Sequence, residues 1–471
     1  MNINLAALLP LLVLGTTAVF LILLIAFYRP HRTCHGVAAG VTALGLAVAL
    51  VALWPAWQRA PQPVTALLLV DQYALLLMGL LLAIALTVTL LAYGYWAQRP
   101  GQREEFYLLL LLATLGTAVL SSATHFASFF LGLELLSVSL YGLIAYPRQT
   151  DSTQAGLTYL VLAAVSAAFL LFGMALVYAD RGTMALAELA AAPGSGLLWL
   201  SGLALLLVGI GFKLAFVPFH MWVGDVYADA PAPTTAFVAT ASKTAVFIVL
   251  LRFFLSLQAP EIPALAVGIG ITAVLSMLGG SLLVLVQNDV KRLLAYSSVS
   301  QLGYVLVALL AGGALAASSA AFYLIAYSLT TLAAFGVLIL LSSSEREADT
   351  LEDYQGLFWR RPGLALVLTT ALFSLAGIPL TAGFMGKFLL LTAGVGMAQW
   401  LLALILVVSS GISLFAYMHW VVVMFRAVPE GEMVGDGQRW WGTAVVAVLL
   451  LLIIWFGVYP APLLGLLQGS F

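Results

Sequence analysis

Charged residues are scarce in this 471-residue chain, and that scarcity decides the class of protein. Asp, Glu, Lys and Arg make up 8% of the residues, whereas hydrophobic residues make up 63% and the mean hydropathy is +1.12. A soluble globular domain has roughly 25% charged residues. Apolar runs of about 20 residues, the length that crosses a bilayer as a helix, recur throughout the chain. The composition therefore predicts an all-α polytopic membrane protein in a lipid bilayer.

Cysteine is nearly absent, and neither sign of charge dominates. Cys34 is the single cysteine, which excludes an intrachain disulfide and cannot by itself build a metal site. The net charge of −1 indicates no nucleic-acid partner. The sequence has no cysteine cluster, no Rossmann fingerprint and no P-loop, so we expect no cofactor in this chain.

The apolar runs predict about fourteen transmembrane helices. The first run is too long for a signal-peptide core and has no basic region before it, so we expect it to be a retained helix. The predicted spans are 5–27, 36–54, 73–96, 104–122, 124–146, 152–179, 197–219, 232–257, 261–286, 291–313, 316–343, 363–393, 398–427 and 441–465.

Basic residues predict the orientation, because they are enriched in cytoplasmic loops. Twelve of the eighteen lie in odd-numbered loops, three in even-numbered loops or at their edges, and three within spans. This bias places both termini outside, which is periplasmic for a bacterial inner membrane. We expect orientation alone to explain Lys291 and Arg292. The odd-loop residues are Arg29, Arg32, Arg99, Arg103, Arg148, Lys291, Arg292, Arg346, Arg360, Arg361, Arg426 and Arg439, and the even-loop residues are Arg59, Arg181 and Arg252.

Two buried lysines surround a predicted helix break. Lys213 lies five residues before Pro218 in the seventh span, and Lys243 lies in the eighth. A lysine in mid-membrane costs roughly 2.5–3.5 kcal/mol on insertion scales. Broken helices at membrane depth line wet cavities or are covered by protein. The pattern therefore indicates an ion or proton path.

Glu134, near the middle of the fifth span, is the candidate partner of Lys213. Ser137 and Tyr141 follow at i+3 and i+7, which places them on the same helix face. Glu134 is interpreted as a titrating partner of a buried lysine. The structural alternatives are a neutral acid bonded to a neighbouring helix, or a permanent ion pair with Lys213.

Lys387 in the twelfth span repeats the pattern, because the sequence Gly377-Ile378-Pro379 predicts a second helix break before it. The recurrence suggests two five-helix units, which are inverted because each has an odd number of spans. The predicted organisation is an N-terminal three-helix segment (1–103), a first five-helix repeat (104–257), a second, inverted repeat (258–427) and a C-terminal helix (428–471).

The histidines lead to weaker expectations. His419 lies inside the thirteenth span and is a candidate for the proton path. His220, like Asp225, either caps the segment that crosses between the seventh and eighth spans or joins the path. His31 and His35 are expected to be solvated loop residues.

Four segments resemble the antiporter-like subunits of respiratory complex I. HMWVGDVYADAPAPTTAFVATASK is similar to that family's H-x-W-x-x-D-x-Y-x-x-A-P-x-P-x-T-A-F segment and the lysine that follows it. QNDVKRLLAYSSVSQLGY, LGLELLSVSLYGLIAY and AGIPLTAGFMGKF also resemble family segments. Together the motifs extend from about residue 104 to 427. Within the family, the resemblance is strongest to the branch of N subunits of bacterial NADH–quinone oxidoreductases, followed by the M subunits.

The resemblance implies fourteen core helices, two inverted five-helix repeats and broken seventh and twelfth helices. Matched residue by residue, it implies that Glu134 and Lys213 are a coupled pair, Lys243 a central relay and Lys387 the residue of a second half-channel. It further implies a proton-translocating subunit that neighbours the M and K subunits. NADH, FMN, iron–sulfur clusters and quinone would be bound by partner subunits, where electron transfer occurs.

Three positions depart from the family pattern. Thr158 occupies a place where N subunits commonly have lysine, Gln301 stands where many relatives have histidine, and Met418-His419 replaces a common Leu-Arg pair. The sequence also leaves other functions open. The same lysines would serve a subunit of a multisubunit Na⁺/H⁺ antiporter or membrane-bound hydrogenase, a stand-alone cation/proton antiporter, or a structural anchor.

Overall fold

The computed structural model describes residues 5–28, 34–101, 103–428 and 440–470. Within them the chain forms twenty α-helices. They are α1 (Leu9–Tyr28), α2 (Cys34–Trp57), α3 (Gln72–Ala97), α4 (Glu104–Ser122), α5 (Phe126–Ile144), α6 (Thr150–Arg181), α7 (Leu186–Ala191), α8 (Leu197–Leu214), α9 (Met221–Asp229), α10 (Ala232–Phe237), α11 (Lys243–Ser256), α12 (Pro263–Val284), α13 (Val290–Ala311), α14 (Gly313–Leu341), α15 (Leu357–Arg360), α16 (Pro362–Ala376), α17 (Ala382–Gly396), α18 (Trp400–Phe425), α19 (Trp440–Val458) and α20 (Ala461–Gln468).

The described elements outside these helices are short. A π-helical turn covers Val238–Ser242, and 3₁₀ turns cover Ala259–Glu261 and Leu351–Tyr354. Two antiparallel strands lie between α2 and α3, namely β1 (Gln62–Pro63) and β2 (Leu69–Val70).

The predicted helical membrane fold is confirmed. Among the described residues, thirteen helices are long and apolar enough to cross a membrane, with α10, the π turn and α11 forming one of them. The shorter apolar helices α16 and α17 together occupy the predicted twelfth span. These thirteen helices and the α16–α17 pair correspond one to one with the fourteen predicted spans.

Both predicted helix breaks are present. The seventh span ends as helix at Leu214, before Pro218, whose ring and missing N–H are incompatible with a helix interior. In the twelfth span, Gly377 ends α16 in the left-handed region (φ 84°), a conformation that glycine adopts without a Cβ penalty. Thr381 then caps α17, and its hydroxyl accepts a hydrogen bond from the Phe384 N–H.

The helices form two compact units. The first comprises mainly residues 1–213 and 241–257. Within it, consecutive helices pack from α1 to α6, with the pair α4–α5 in most extensive contact. The second comprises mainly residues 214–240 and 258–469. There α14 packs against α13, α16, α17 and α19, and almost all of its residues are buried.

The expectation of a solvated His35 was wrong. His35 lies in α2 and is buried, and its Nε2 is 3.0 Å from the Tyr107 hydroxyl. Its ring also stacks on Tyr93, with the ring centroids 5.2 Å apart. The second span begins before His35, and aromatic partners from α3 and α4 replace water around the ring. His31, Arg29, Arg32 and Arg439 lie outside the described residues.

Candidate functional site

Lys213 lies in a buried polar site built by α5, α6 and α8 in the first unit. The lysine is at the C-terminal end of α8 and is 4% exposed. Its Nζ donates a hydrogen bond of 2.7 Å to the Ser137 hydroxyl on α5. The Nζ also lies 5.4 Å from the ring centroid of Tyr159 on α6, close enough for cation–π attraction. Three helices therefore hold the ammonium group.

Glu134 lies one helical turn before Ser137 on the same face of α5. Its Oε1 is buried and has no hydrogen-bond partner among the residues that the structure describes. Within the described residues, no direct ion pair joins Glu134 to Lys213, although the carboxylate is close enough for its charge to interact with the lysine. Ser137 therefore holds the lysine at a position next to the carboxylate rather than on it.

Close packing between α6 and α8 fixes the position of Lys213. The Ser166 hydroxyl donates a 2.9 Å hydrogen bond to the Gly209 carbonyl, one turn before the lysine. A Cβ at Gly209 would lie 2.3 Å from Leu170 Cγ. Glycine at this position therefore lets α6 and α8 approach closely, so that α8 carries Lys213 to Ser137.

Lys243 lies at the junction of two helix types. The π turn Val238–Ser242 ends immediately before it, and α11 begins at the lysine. The residue is 0% exposed, and Ser242 and Thr244 beside it are also buried. A π turn inserted into an α-helix shifts the face that each side chain occupies and is frequent at functional sites.

Lys387 is held by the open end of the second broken helix. Its Nζ donates to the carbonyls of Leu375 and Ala376, at 2.7 and 3.1 Å, and to the Ser410 hydroxyl at 2.6 Å. The last carbonyls of a helix have no intrahelical partner and carry partial negative charge. The break after α16 therefore supplies the acceptors for a buried ammonium group.

Aromatic and amide side chains surround the same carbonyls. Gln301 Nε2 donates to the Leu375 carbonyl at 3.0 Å, and Gln301 accepts a hydrogen bond from the Tyr323 hydroxyl. The ring centroid of Tyr304 lies 4.8 Å from Lys387 Nζ. Gln301, noted from the sequence as a departure from the family pattern, thus belongs to the Lys387 site.

Comparison with known proteins establishes the family. The family described as NADH:quinone oxidoreductase/Mrp antiporter, transmembrane, matches residues 123–413. The NADH-quinone oxidoreductase subunit N of Ectopseudomonas mendocina (strain ymp) is 46% identical over 481 aligned residues, which cover 99% of this chain and 96% of that protein. The chain belongs to this antiporter-like family.

Solved structures agree with the family assignment. A chain of respiratory complex I from Thermus thermophilus, solved with bound aureothin, is 34% identical with a TM-score of 0.85, covering 98% of this chain and 100% of that one. The Mrp complex of Dietzia sp. DQ12-45-1b is 22% identical with a TM-score of 0.87, covering 99% of this chain and 97% of that one. An archaeal membrane-bound sulfane sulfur reductase is 23% identical with a TM-score of 0.86 and the same coverage. The last two show a shared fold.

Two positions that depart from the family pattern lie apart from the lysine sites. His419 and Met418 are on the exposed face of α18, whereas Tyr417 and Trp420 point inward. Thr158 is exposed on α6, directly before the buried Tyr159 that contacts Lys213. The structure therefore does not bring His419 or Thr158 together with the buried lysines of this antiporter-like chain.

His220 does not act as a capping residue in the segment that crosses between the seventh and eighth spans. His220 precedes α9 but makes no capping hydrogen bond, and its Nδ1 is buried without a partner among the described residues. Asp225 forms a 3.0 Å ion pair with Arg292 on the surface. Asp225 therefore stabilises the crossing segment through charge, in a place where solvent weakens the interaction.

Lys291 is buried, and the preference of basic residues for cytoplasmic loops does not explain its position. It is 2% exposed, and its Nζ lies 2.6 Å from Glu347 Oε2 and 2.9 Å from the Ala230 carbonyl. The other Glu347 oxygen accepts a hydrogen bond of 2.9 Å from the Ala232 N–H at the start of α10. Sequence reasoning missed this pair because its members are 56 residues apart and Glu347 lies in a loop.

Proposed function

We propose that this chain is the proton-translocating, non-redox subunit of a NADH–quinone oxidoreductase complex, corresponding to the N subunit. The subunit N relative and the complex I chain, at 46% and 34% identity over nearly the whole length, support that assignment. The observation that carries the mechanism is the hydrogen bond from Lys213 to Ser137, one turn from a buried Glu134 oxygen that has no hydrogen-bond partner within the described part of the chain.

Proton transfer starts from a choice between two partners for the Lys213 ammonium group. On Ser137 the ammonium meets a neutral hydroxyl, whereas on Glu134 it meets a negative charge. An opposite charge at close range favours the protonated amine, and burial favours the neutral amine. A conformational signal that moves the lysine from the carboxylate to the hydroxyl therefore promotes release of its proton.

The other lysines continue the path. Lys243, between the π turn and α11, is the central relay, and Lys387 belongs to the second half-channel. The Lys387 ammonium is held by helix-end carbonyls, which accept hydrogen bonds from the protonated form. Loss of the proton weakens those bonds, so that charge on Lys387 is coupled to the geometry of the α16–α17 break. His419 lies on the exposed face of α18, and we assign it no step in this path.

The remaining partners follow from the complex. The M and K subunits are the neighbours in the membrane, and NADH, FMN, iron–sulfur clusters and quinone are bound by partner subunits. The chain lies in the bacterial inner membrane with both termini periplasmic, and residues 104–257 and 258–427 are the two inverted repeats. Energy from electron transfer reaches this chain as a conformational or electrostatic signal.

The testing experiment replaces Lys213 and measures proton pumping per NADH oxidised in vesicles. We expect Lys213→Met to assemble, because methionine is apolar and of similar length, but to lose most of its pumping. Lys213→Arg is expected not to restore pumping, since arginine stays protonated. Arg181→Gln, at an exposed basic residue in the same unit, is the control and is expected to pump normally.

Three outcomes would contradict the proposal in different ways. An assembled Lys213→Met variant that pumps at the unmodified ratio would refute the site. Purification of the chain without flavin and iron–sulfur subunits, together with Na⁺-dependent proton exchange, would instead favour a subunit of a multisubunit Na⁺/H⁺ antiporter. Failure of Lys213→Met and Lys213→Arg to assemble, with Arg181→Gln assembling, would favour a structural anchor.

A further inference from the structure

Lys387 is buried without a carboxylate partner in the described part of the chain, where no ion pair joins it to Asp or Glu. Its three hydrogen-bond acceptors, two backbone carbonyls and the Ser410 hydroxyl, are all neutral. A protonated lysine has three N–H donors, so these acceptors satisfy the ammonium form completely. A buried charge nevertheless needs attraction from its surroundings, because burial removes the stabilisation that water gives.

The ring of Tyr304 on α13 supplies such an attraction. Its centroid lies 4.8 Å from Lys387 Nζ, within the roughly 6 Å over which an aromatic face attracts a cation. Tyr304 is fully buried, and the attraction is stronger where water is excluded. Tyr323 lies edge-on to this ring with the centroids 6.4 Å apart, and the Ser409 hydroxyl is 3.5 Å from the Tyr304 hydroxyl. These contacts hold the ring in place.

The lysine of the first unit has a similar environment with one difference. Lys213 also bonds to a serine hydroxyl and lies near a tyrosine ring, that of Tyr159, at 5.4 Å from its centroid. The charge of Glu134 interacts with Lys213 as well. The tyrosine ring is therefore closer to the lysine at the site that lacks a carboxylate.

The helices in most extensive contact with α17 bring no negative charge to Lys387; they are α13, α14, α16, α18 and α19. Between their described ends, α16 and α19 contain no titratable side chain. Lys291 and Arg292 begin α13, about 20 Å along the helix from Tyr304. His419 lies on the exposed face of α18. The other titratable side chains on α13, α14 and α18 are phenols, namely Tyr296, Tyr304, Tyr323, Tyr327 and Tyr417.

We propose that the Tyr304 ring takes the place of a counter-ion at Lys387 and acts as a positioning residue for its proton. This inference rests on the proposed role of Lys387 in proton translocation. The ring face attracts the ammonium form and not the neutral amine, so it favours uptake of a proton by Lys387. Because the ring face needs no ionisation to attract a cation, this preference is constant. At Lys213 the preference depends in addition on the charge of Glu134.

The test measures proton pumping per NADH oxidised in vesicles as a function of pH. Taking the ratio removes the pH dependence of electron transfer itself. Tyr304→Leu removes the ring, which favours the neutral amine. We therefore expect its pumping ratio to fall at a pH about one unit lower than in the unmodified protein. Tyr304→Phe keeps the ring and loses only the hydroxyl, so it should keep the unmodified profile.

Fluorinated phenylalanines at position 304 separate the ring charge distribution from packing. Fluorine withdraws electron density from the ring face and hardly changes its size, so mono-, di- and trifluorinated rings should lower the pH limit stepwise. The same series at Tyr354 is the matched control and should cause no shift. That ring is also buried in the second unit, but it packs edge-on against Trp420 at 5.0 Å. If Tyr304→Leu does not assemble, the fluorinated series decides the question.

Lys387→Met separates failure of this inference from failure of the proposed function. Normal pumping by assembled Lys387→Met would remove the lysine from the path and the inference with it. If Lys387→Met instead loses pumping, an unchanged pH limit across Tyr304→Leu and the fluorinated series would refute the role of the ring alone. Equal shifts at positions 304 and 354 would also refute it, since they would show a general effect of packing. A Tyr304→Phe shift as large as that of Tyr304→Leu would assign the effect to the hydroxyl and overturn the inference.

Discussion

Among the residues that the structure describes, one oxygen of the Glu134 carboxyl group is buried without a hydrogen-bond partner, while Lys213 bonds to Ser137 one turn away. A structural carboxylate is normally satisfied by its partners, because an unpaired buried polar atom costs roughly 1–3 kcal/mol. The arrangement is better explained by a lysine that exchanges partners. At the residue scale, this oxygen beside the Lys213–Ser137 bond supports the proposal that Lys213 exchanges between Ser137 and Glu134.

The first prediction tests that exchange. Glu134→Gln keeps the volume of the side chain but removes the negative charge that stabilises the Lys213 ammonium. We expect normal assembly and a loss of most proton pumping per NADH oxidised, measured in vesicles. Glu261→Gln, at an exposed carboxylate, is the control. Normal pumping by assembled Glu134→Gln would remove Glu134 from the coupling mechanism.

A second prediction at this scale concerns the buried pair Lys291–Glu347. Glu347→Gln leaves the buried Lys291 ammonium without its counter-charge, a change that costs roughly 3 kcal/mol or more for a buried pair. Because Glu347 is 13% exposed, we expect a loss of about 2 kcal/mol. The measurement is the thermal unfolding midpoint of the purified complex.

The neighbouring surface pair supplies the control for this prediction. Asp225 and Arg292 are 65% and 41% exposed, and solvent-exposed pairs contribute about 0–1 kcal/mol. Asp225→Asn should therefore hardly shift the midpoint. The double variant Lys291→Met with Glu347→Gln should recover part of the loss. Equal small shifts for Glu347→Gln and Asp225→Asn would show that burial of Lys291 is not what makes its pair important.

At the scale of the elements, the break between α16 and α17 depends on close backbone approach. A Cβ at Gly383 would lie 1.9 Å from the Ser374 carbonyl oxygen. The Gly383 N–H instead donates a 3.0 Å hydrogen bond to the Ser374 hydroxyl oxygen, and that oxygen is 2.8 Å from Thr330 Oγ1. The same turn places Lys387 beneath the open carbonyls of α16.

The third prediction follows from this contact. Gly383→Ala forces the two halves of the span apart, and overpacking of this kind costs about 1–3 kcal/mol. We expect a lower unfolding midpoint together with reduced pumping, because the Lys387 acceptors move. Gly363→Ala is the matched control, since a Cβ at Gly363 meets no atom within 4 Å. The idea fails if both variants unfold and pump alike.

The sequence predicted the elements better than their partners. Hydrophobic length and the local effects of Pro218 and Gly377 are properties of short segments, and the spans and both breaks agree with the structure. The spacing from Glu134 to Ser137 also predicted a shared helix face. The Lys387 acceptors were not predictable, because backbone carbonyls carry no sequence signal. His35 and Lys291 are buried by residues distant in sequence, which local patterns do not reveal.

At the scale of the whole molecule, polar groups concentrate where helices are interrupted. Lys213 ends α8 before the first break, Lys243 follows the π turn, and Lys387 bonds to the second break. Interrupted helices expose backbone acceptors that a continuous helix would use internally. The break after α16 therefore holds the Lys387 amine on backbone carbonyls. The inverted repeat stays a prediction consistent with the two breaks.

The last prediction concerns orientation, which the distribution of basic residues determines through the charge preference of cytoplasmic loops. Twelve basic residues lie in odd-numbered loops and three in even-numbered ones, and the number of spans is even. A reporter fused after Phe471 should therefore lie in the periplasm, so an alkaline phosphatase fusion should be active and a green fluorescent protein fusion dark.

The control is truncation and fusion after Arg148, within an odd-numbered loop, where the two reporters should show the opposite result. One span more or fewer between Arg148 and Phe471 would place the two positions on the same side of the membrane. Identical reporter behaviour at the two positions would therefore refute the fourteen-span topology, even if the helices themselves are placed correctly.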